Sequence, residues 1–355
     1  MIASALARRL RLDRHAEFWL GELDGTWSLG EIRARVAAVI AETPDAKTFV
    51  LRPNGAWRAH RAGQHTTIEV EIDGVRVRRC YSLSSAPADA LPAITVKRAR
   101  GGRVSGWLHD HLRPGDVVRV SPAAGDFVLP EPVPRKLLML SGGSGITPLM
   151  SMVRDLAARD RVPDLVFVHH DRSAKDVIFG RALAELAADH TSLRIVSCLA
   201  DGTPGPGRFD EAQLRRLVPD FAERETFLCG PSGLMARVER LWADAGAAGA
   251  LHLERFVPPA ARAPLEDHDG GTPVSVMLTE SGRSFTAASG TLLEQLERAG
   301  ERPRFGCRMG ICQTCKCRKR TGCVENLLTG AVSSEPDEDI QPCISVARSD
   351  LELCL

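Results

Sequence analysis

Four cysteines near the C-terminus carry the most specific chemical signal in the chain. Cys307, Cys312 and Cys315 stand in FGCRMGICQTCKC, and Cys343 follows in QPCISVA. The C-x4-C-x2-C spacing with a distant fourth cysteine is the ligand pattern of a plant-type [2Fe–2S] cluster. Three thiolates on one tight loop cover most of such a cluster, and the fourth closes the cage. Gly306 and Gly310 let the loop backbone wrap closely, so that amide N–H groups point at the sulfides and stabilise the reduced state. Zinc would also accept Cys312-x2-Cys315, but the longer first gap is unusual for a zinc ribbon. Cys317 and Cys323 fall outside the pattern and read as buried or spare thiols.

A second group of residues suits a flavin. RRCYSLSS holds Arg79, Tyr81 and Ser82, and Tyr81 is the only tyrosine in the chain. A flavin needs a flat aromatic face, a hydroxyl near N5 and an arginine for its phosphates. One extended segment supplies all three, with alternate side chains sharing a face. In isolation the same residues would serve as an ordinary strand end. Downstream, GGRVSGWL (Gly101 to Leu108) opens a helix whose exposed N–H groups suit a pyrophosphate, or form a plain helix cap.

Three further motifs point to a pyridine nucleotide. SGGSGITPLM (Ser141 to Met150) follows the apolar run LLML and opens a helix with Pro148 in its first turn, a place for a dinucleotide pyrophosphate. LCGPSGLM puts Cys229, Gly230 and Pro231 between a strand and a helix, where a parallel sheet forms its ligand crevice. Cys229 there either touches the nicotinamide or is a buried strand-end cysteine. After LVFV come His169, His170, Asp171, Arg172 and Ser173. Adjacent histidines on a strand face opposite ways, which disfavours a metal site. Arg172 and Ser173, with Lys175 nearby, suit a 2′-phosphate and favour NADPH, although an arginine also fits over the adenine of NADH. No Ser/His/Asp triad is expected, and hydride transfer asks for little acid–base machinery.

Three rhythms position these motifs. From Glu31 to about Pro132 the chain alternates as strands, with Asp73-Gly74 as a hairpin turn, and reads as an antiparallel barrel. From Arg135 to about Phe256 buried strands alternate with amphipathic helices, the pattern of an α/β domain with a parallel sheet. VPPAARAPLEDHDGGTP reads as a linker, and a hairpin, a helix in TLLEQLERAG and the cysteine loop follow in β-grasp order. At 355 residues several domains are expected, and a net charge of +1 gives no hint of nucleic-acid binding. Seven of the ten cysteines lie between Cys307 and Cys354, which favours a reducing, cytoplasmic compartment. The N-terminal stretch ALARRLRLDRHAEFWL is basic and amphipathic, suited to covering a domain or touching a membrane or partner.

The ordered set RCYS, GGRVS, SGGSGIT, CGPSG and C-x4-C-x2-C…C resembles the ferredoxin–NADP reductase superfamily, in particular its members with a C-terminal plant-type ferredoxin domain. The amphipathic N-terminal stretch is expected to be a leader helix within 1–30. The resemblance, which begins at about Glu31, implies an FAD barrel over 31–134, an NAD(P) domain over 135–258, a linker over 259–272 and a [2Fe–2S] domain over 273–355. It makes Arg79, Tyr81 and Ser82 flavin ligands. Gly102, Val104 and Ser105 would hold the flavin phosphates, with Val96 and Lys97 on the strand between. Gly143, Gly145, Thr147 and Pro148 would form the nucleotide loop, and Cys229, Gly230 and Pro231 would lie beside the nicotinamide. Ser82 and Cys229 are the residues expected at the hydride transfer. FAD is expected over FMN because most members with an RxYS segment and a GGxxS turn use FAD. His65 stands where many members carry an aromatic, and its role is open.

The resemblance implies electron flow from NADPH through FAD and the cluster to an acceptor protein. The segments DGTWSL and VLRPNGAWRAHRAGQH resemble reductases that serve membrane-bound acyl desaturases and alkane hydroxylases. The alternatives are an NADH-dependent reductase of a ring-hydroxylating oxygenase and a regulatory redox module. Arg308, Lys316, Arg318, Lys319 and Arg320 surround the cysteine loop and suit either an acidic partner face or a solvated rim.

Overall fold

The computed structural model describes residues 19, 21, 24–200, 209–256, 274–306, 308, 310 and 313–355. Alternating strands build the first layer: β1 (Ile32–Thr43), β2 (Ala46–Pro53), β3 (His65–Ile72), β4 (Val75–Ser82), β5 (Ala93–Lys97) and β6 (Val117–Val120). They form an antiparallel sheet in the order β4-β3-β6-β1-β2-β5, and a bridge between Leu83 and Ile94 joins its ends into a barrel. Ile68, Val70 and Ile72 point into a core shared with Phe49 and Leu51. Asp73 and Gly74 both take positive φ, 53° and 72°, as the tight β3–β4 turn requires. Helix α1 (Arg103–His111) lays Val104 and Leu108, one turn apart, on the same core.

Continuous apolar runs build the second layer. Strands β7 (Lys136–Gly142), β8 (Asp164–Asp171), β9 (Leu193–Leu199), β10 (Glu225–Cys229) and β11 (Leu251–Glu254) are parallel, in the order β11-β10-β7-β8-β9. The strand order reverses between β7 and β10, so their carboxyl ends frame the crevice in which such sheets take ligands. Strand β11 was not among the expected elements. Helices α2 (Ile146–Ala158), α3 (Gly180–Asp189), α4 (Glu211–Leu217) and α5 (Ser232–Asp244) connect the strands. Barrel and sheet belong to one compact unit, Met1–Arg255. Helix α2 is buried along most of its length and ties the two layers together. Its Ser151 Oγ donates to Ser85 O at 2.6 Å, and Arg154 Nη1 donates to Ser84 O at 2.6 Å.

The second unit, Phe256–Leu355, is a β-grasp. Its strands are β12 (Ser275–Leu278), β13 (Ser284–Thr286), β14 (Cys317–Thr321), β15 (Val324–Asn326), β16 (Val332–Ser333), β17 (Glu338–Ile340), β18 (Ser345–Ala347) and β19 (Leu351–Leu353). The main sheet runs β13-β12-β19-β14-β17 with β12 and β19 parallel. Helix α6 (Leu292–Arg298) opens on a capping box: Glu294 N–H donates to Thr291 Oγ1 at 3.3 Å and Thr291 N–H to Glu294 Oε2 at 2.9 Å. Leu292 and Leu296 of this helix enter the sheet core, and Leu293 faces Cys315 and Cys343. The leader apart from Trp19, Gly21 and 24–30, the linker, Cys307 and Cys312 lie outside the described residues. Among the described residues no helix is long and apolar enough to cross a membrane.

Candidate active site

The carboxyl edge of the parallel sheet ends in a row of polar residues. Register places Glu254 beside Cys229, Cys229 beside Ser141, Ser141 beside His169 and His169 beside Ser197. Cys229, Ser141 and His169 are fully buried. Ser141 Oγ and His169 Nδ1 are hydrogen-bonded at 2.7 Å, and His169 Nε2 lies 3.4 Å from Asp171 Oδ2. A Ser/His/Asp line therefore exists, contrary to the expectation from sequence. It is buried in the sheet and braces the strand end beneath the glycine turn. His170 faces the opposite way toward Phe209, and burial pushes its pKa down to about 4.

The barrel meets this row through β3 and β4. His65 and Ser82 are cross-strand partners in that hairpin, so their side chains leave on one face. His65 Nδ1 lies 3.9 Å from Glu254 Oε1. Ser82 Oγ and Glu254 Oε2 are buried in this seam without a well-formed hydrogen bond, and the Ser82 hydroxyl stands close enough to Glu254 to act on its carboxyl. Burial raises the Glu254 carboxyl to about 8, with the neighbouring Ser82 hydroxyl pulling it part of the way back. Burial, and after it the Glu254 charge, also drives the Cys229 thiol well above its ordinary value. Hydroxyl, thiol and a carboxyl that burial biases toward its neutral form thus share one buried seam. Tyr81, on the other face of β4, packs partly against the barrel core, and burial lifts its phenol pKa.

Glycines let the two nucleotide motifs dock on each other. A Cβ on Gly145 would sit 2.1 Å from the Cys229 carbonyl oxygen, and one on Gly142 would sit 2.8 Å from Pro231 Cδ. Gly143 takes φ +53° in the turn before α2. Thr147 Oγ1 donates to Ser144 O at 3.0 Å and holds that turn, while Pro148 is buried in the first turn of α2. In the barrel, Ser105 Oγ accepts from Ala99 N–H at 3.1 Å, and a Cβ on Gly102 would strike that oxygen at 2.4 Å. Val96 is buried on β5, and its carbonyl oxygen lies 2.8 Å from His109 Nε2.

Charged residues join the layers at the end of β8. Lys97 Nζ lies 3.6 Å from Asp45 Oδ1 and 4.0 Å from Asp171 Oδ1. Arg172 Nη2 donates to Asp176 Oδ1 at 2.9 Å and to Asp45 Oδ2 at 3.3 Å, and Ser173 Oγ donates to Asp176 Oδ2 at 2.7 Å. Burial works against ionised Asp171, but His169, the Arg172 amide and Lys97 outweigh it and hold the carboxyl below its ordinary value.

In the ferredoxin unit, Cys315 and Cys343 are buried in one apolar cluster with Leu293 and Ile344. Gly310 packs on Ile344, where a Cβ would meet Cδ1 at 2.7 Å, and Gln341 Nε2 donates to Gly310 O at 2.8 Å. Gly310 is thereby pinned to the turn that carries Cys343. Cys317 belongs instead to the sheet core, and burial pushes its thiol up to about 12.

The basic rim expected around this loop is largely compensated. Lys319 is fully buried, donating to Gly322 O and Ser333 O at 3.0 Å each, and so belongs to no rim. Arg308 pairs with Glu297 at 2.5 Å, Lys316 with Asp339 at 3.1 Å and Arg318 with Asp337 at 3.6 Å.

Comparison with known proteins matches each layer to a family model. An oxidoreductase FAD-binding domain covers residues 34–129, an oxidoreductase NAD-binding domain 139–240 and a 2Fe-2S iron-sulfur cluster binding domain 276–348. The NADPH oxidoreductase of Mycobacterium tuberculosis is 39% identical over 333 residues, 92% of this chain and 85% of the relative. The glycine betaine monooxygenase reductase subunit of Pseudomonas aeruginosa is 36% identical over 351 residues, 92% of this chain and 96% of the relative. The solved structure of phthalate dioxygenase reductase superposes with a TM-score of 0.59 at 28% identity, covering 92% of this chain and 98% of that one. The chain belongs to the ferredoxin–NADP reductase superfamily. It is an NAD(P)H-dependent flavin and iron–sulfur oxidoreductase with a C-terminal [2Fe–2S] ferredoxin domain.

The residues of this reductase fit the groups its domains take. Two buried oxygens that make no well-formed hydrogen bond within the protein, Ser82 Oγ and Glu254 Oε2, lie side by side at the seam, and glycine-bounded turns precede both α1 and α2. Sequence reasoning missed Glu254 because β11 is only four residues long and its meaning lies in register with β10. The run LHLE after the Ala/Gly turn was the available signal.

Proposed function

We propose that the reductase takes a hydride from NADPH at the seam between barrel and parallel sheet and delivers single electrons from its ferredoxin domain to an oxygenase component. The observation that carries this reading is the meeting of His65 and Ser82 with the Glu254–Cys229 pair at a topological switch point. FAD supplies a two-electron acceptor that can release electrons singly, and the cluster supplies one-electron carriage. Tyr81 offers the flat face, and its raised pKa keeps the phenol neutral. Arg79, Gly102, Val104 and Ser105 hold the flavin phosphates at the start of α1, with Val96 and Lys97 on the adjoining strand. Gly143, Gly145, Thr147 and Pro148 receive the nucleotide pyrophosphate at the start of α2.

Cys229, Gly230 and Pro231 bound the nicotinamide side, and Ser82 and Cys229 position the reacting atoms without charge. Burial biases the Glu254 carboxyl toward its protonated form, which lessens the buried negative charge beside the reacting atoms. Arg172 and Ser173 read the 2′-phosphate, in keeping with the name of the mycobacterial relative. Cys307, Cys312, Cys315 and Cys343 hold the cluster. The names of relatives, among them a glycine betaine monooxygenase reductase subunit and a stachydrine N-demethylase reductase subunit, support an oxygenase acceptor. A membrane-bound desaturase or hydroxylase rests on the resemblance of DGTWSL and VLRPNGAWRAHRAGQH, and membrane contact through the N-terminal segment on its composition. A cytosolic site follows from the reducing conditions that a cysteine-rich cluster loop needs.

Anaerobic NADPH should bleach both flavin and cluster bands of the purified protein, and Cys343→Ser should keep ferricyanide reduction while losing cytochrome c reduction. Reconstitution with candidate oxygenase and desaturase components would identify the acceptor. Undiminished oxygenase turnover in Cys343→Ser would rule out exit through the cluster.

A further inference from the structure

The charged cluster at the end of β8 spans two domains and includes a residue that no nucleotide motif contains. Asp45 lies in the turn between β1 and β2 of the flavin barrel. The turn is well anchored: Asp45 O accepts from Arg98 N–H at 2.7 Å, and Asp45 Oδ1 accepts from Thr43 Oγ1 at 2.9 Å. Its carboxylate points at two cations, Lys97 Nζ at 3.6 Å and Arg172 Nη2 at 3.3 Å. Arg172 immediately follows β8, the second strand of the sheet, where such domains distinguish a ribose 2′-hydroxyl from a 2′-phosphate.

Three carboxylates, Asp45, Asp171 and Asp176, here face two cations, Lys97 and Arg172. A 2′-phosphate adds a charge of about −1.5 to −2 and must draw the Arg172 guanidinium toward itself. The Arg172 side chain is 56% exposed and can turn, but it turns away from Asp45 only by giving up that pair. NADH carries no 2′-phosphate and meets no such competition.

We propose that Asp45, a residue of the flavin barrel, is a specificity-determining residue for the nucleotide. It competes with the 2′-phosphate for Arg172 and so limits the preference for NADPH over NADH. This rests on the reading that Arg172 contacts the 2′-phosphate. Asp45→Asn keeps the turn and its Thr43 contact but removes the charge, and Asp45→Glu keeps the charge. Glu223→Gln removes a carboxylate that pairs with Lys136 at the opposite end of β7, and controls for general charge effects.

The test is kcat/KM for NADPH and for NADH with ferricyanide, together with binding of 2′,5′-ADP and 5′-AMP to the flavin-loaded protein. Asp45→Asn should raise the NADPH-to-NADH ratio about two- to fivefold, as suits one partly exposed ion pair, and high salt should shrink the gain. The same variant should tighten 2′,5′-ADP and leave 5′-AMP unchanged. Asp45→Glu and Glu223→Gln should stay near the wild-type ratio, and Arg172→Ala should lower it. If Arg172→Ala lowers the ratio and Asp45→Asn leaves it unchanged, the proposal is wrong and the nucleotide reading stands. An unchanged ratio in Arg172→Ala would remove the underlying reading and the proposal with it. A gain shared equally by both nucleotides would assign Asp45 to domain packing and overturn its role in selection.

Discussion

At the seam of the first unit, Ser82 arrives on β4, Cys229 on β10 and Glu254 on β11, three strands from two sheets. In the ferredoxin unit, three of the four cysteines proposed to hold the cluster fall within nine consecutive residues, 307–315, and only Cys343 comes from elsewhere. The first site is a product of packing. Burial shifts the titration of its groups, and glycines at Gly142 and Gly145 permit the close contacts with Pro231 and the Cys229 carbonyl beneath it. The second is a product of local spacing, and its groups are chosen for ligand chemistry. A packed site should therefore fail through added volume at a distance from the chemistry, and a spaced site through loss of a single ligand atom.

The largest effect is expected at the cluster. Cys315→Ser or Cys343→Ser should abolish bound iron and acid-labile sulfide while flavin stays at wild-type stoichiometry. Cys317→Ser, in the sheet core rather than beside Cys343, should retain the cluster. Iron, sulfide and flavin analysis of the three variants decides the matter. Cluster loss in Cys317→Ser equal to that in Cys315→Ser would erase the distinction between the two thiols. Gly145→Val should act next most strongly and in the other unit. Its Cβ meets the Cys229 carbonyl, an overpacking cost of about 1–3 kcal/mol. Reduction by NADPH should slow about ten- to hundredfold if that strain falls on the productive arrangement. Iron and sulfide content should not change, which separates this defect from the first.

The same contrast explains what could be read from the sequence. The C-x4-C-x2-C run, RCYS and both glycine turns stand out in the sequence because each is contiguous and carries its own spacing. The barrel, parallel sheet and β-grasp were legible from their apolar rhythms. Glu254 was not, because a lone carboxylate ending a four-residue strand has no meaning until register sets it beside Cys229. The Ser141–His169–Asp171 line was hidden for the same reason. Lys319 is a different case. In CRKRT the strand alternation puts it on the face of Cys317, so its burial was readable, but its charge argued for the surface. Buried lysines are rare unless paired, and two carbonyls with Glu338 nearby provide the pairing here.

A smaller effect should follow titration of the seam. Glu254 is raised from its ordinary value of 4.5 to about 8, so between these limits the folded protein binds a proton that the unfolded chain does not. The stabilisation tied to this proton is fully present below pH of about 4.5 and fades as pH climbs through about 8. Glu254→Gln, which stays neutral, should flatten the fall in Tm between pH 5 and 8. The variant should also keep NADPH reduction of the flavin at high pH, where the wild type slows. A Tm profile that keeps the wild-type slope in Glu254→Gln would place the titration at another group.

The smallest effect should come from the rim of the ferredoxin domain, and it tests whether spacing alone governs that site. Lys316 lies 3.1 Å from Asp339 with both side chains about half exposed, so its charge is already offset at short range. Exposed pairs of this kind contribute about 0–1 kcal/mol, and a partner approaching from beyond a Debye length sees little net field from them. Lys316→Gln should therefore change the rate of electron delivery to cytochrome c less than about twofold at physiological salt. Asp339→Asn provides the sharper comparison because it uncovers the lysine. If a basic rim steers the partner, uncovering Lys316 should speed delivery at low salt and removing it should slow delivery, with opposite salt slopes. If the rim is a compensated surface, both variants stay within the same narrow range, and partner choice lies in the shape and apolar contacts around the cysteine loop. There Phe305 stands 43% exposed under the Arg308 guanidinium, 4.0 Å from its ring centroid. A paired guanidinium over an exposed ring keeps an aromatic surface in place without presenting a free charge. Phe305→Ala should on that view slow delivery more than either charge variant, and stopped-flow rates for the three at two salt concentrations separate the alternatives.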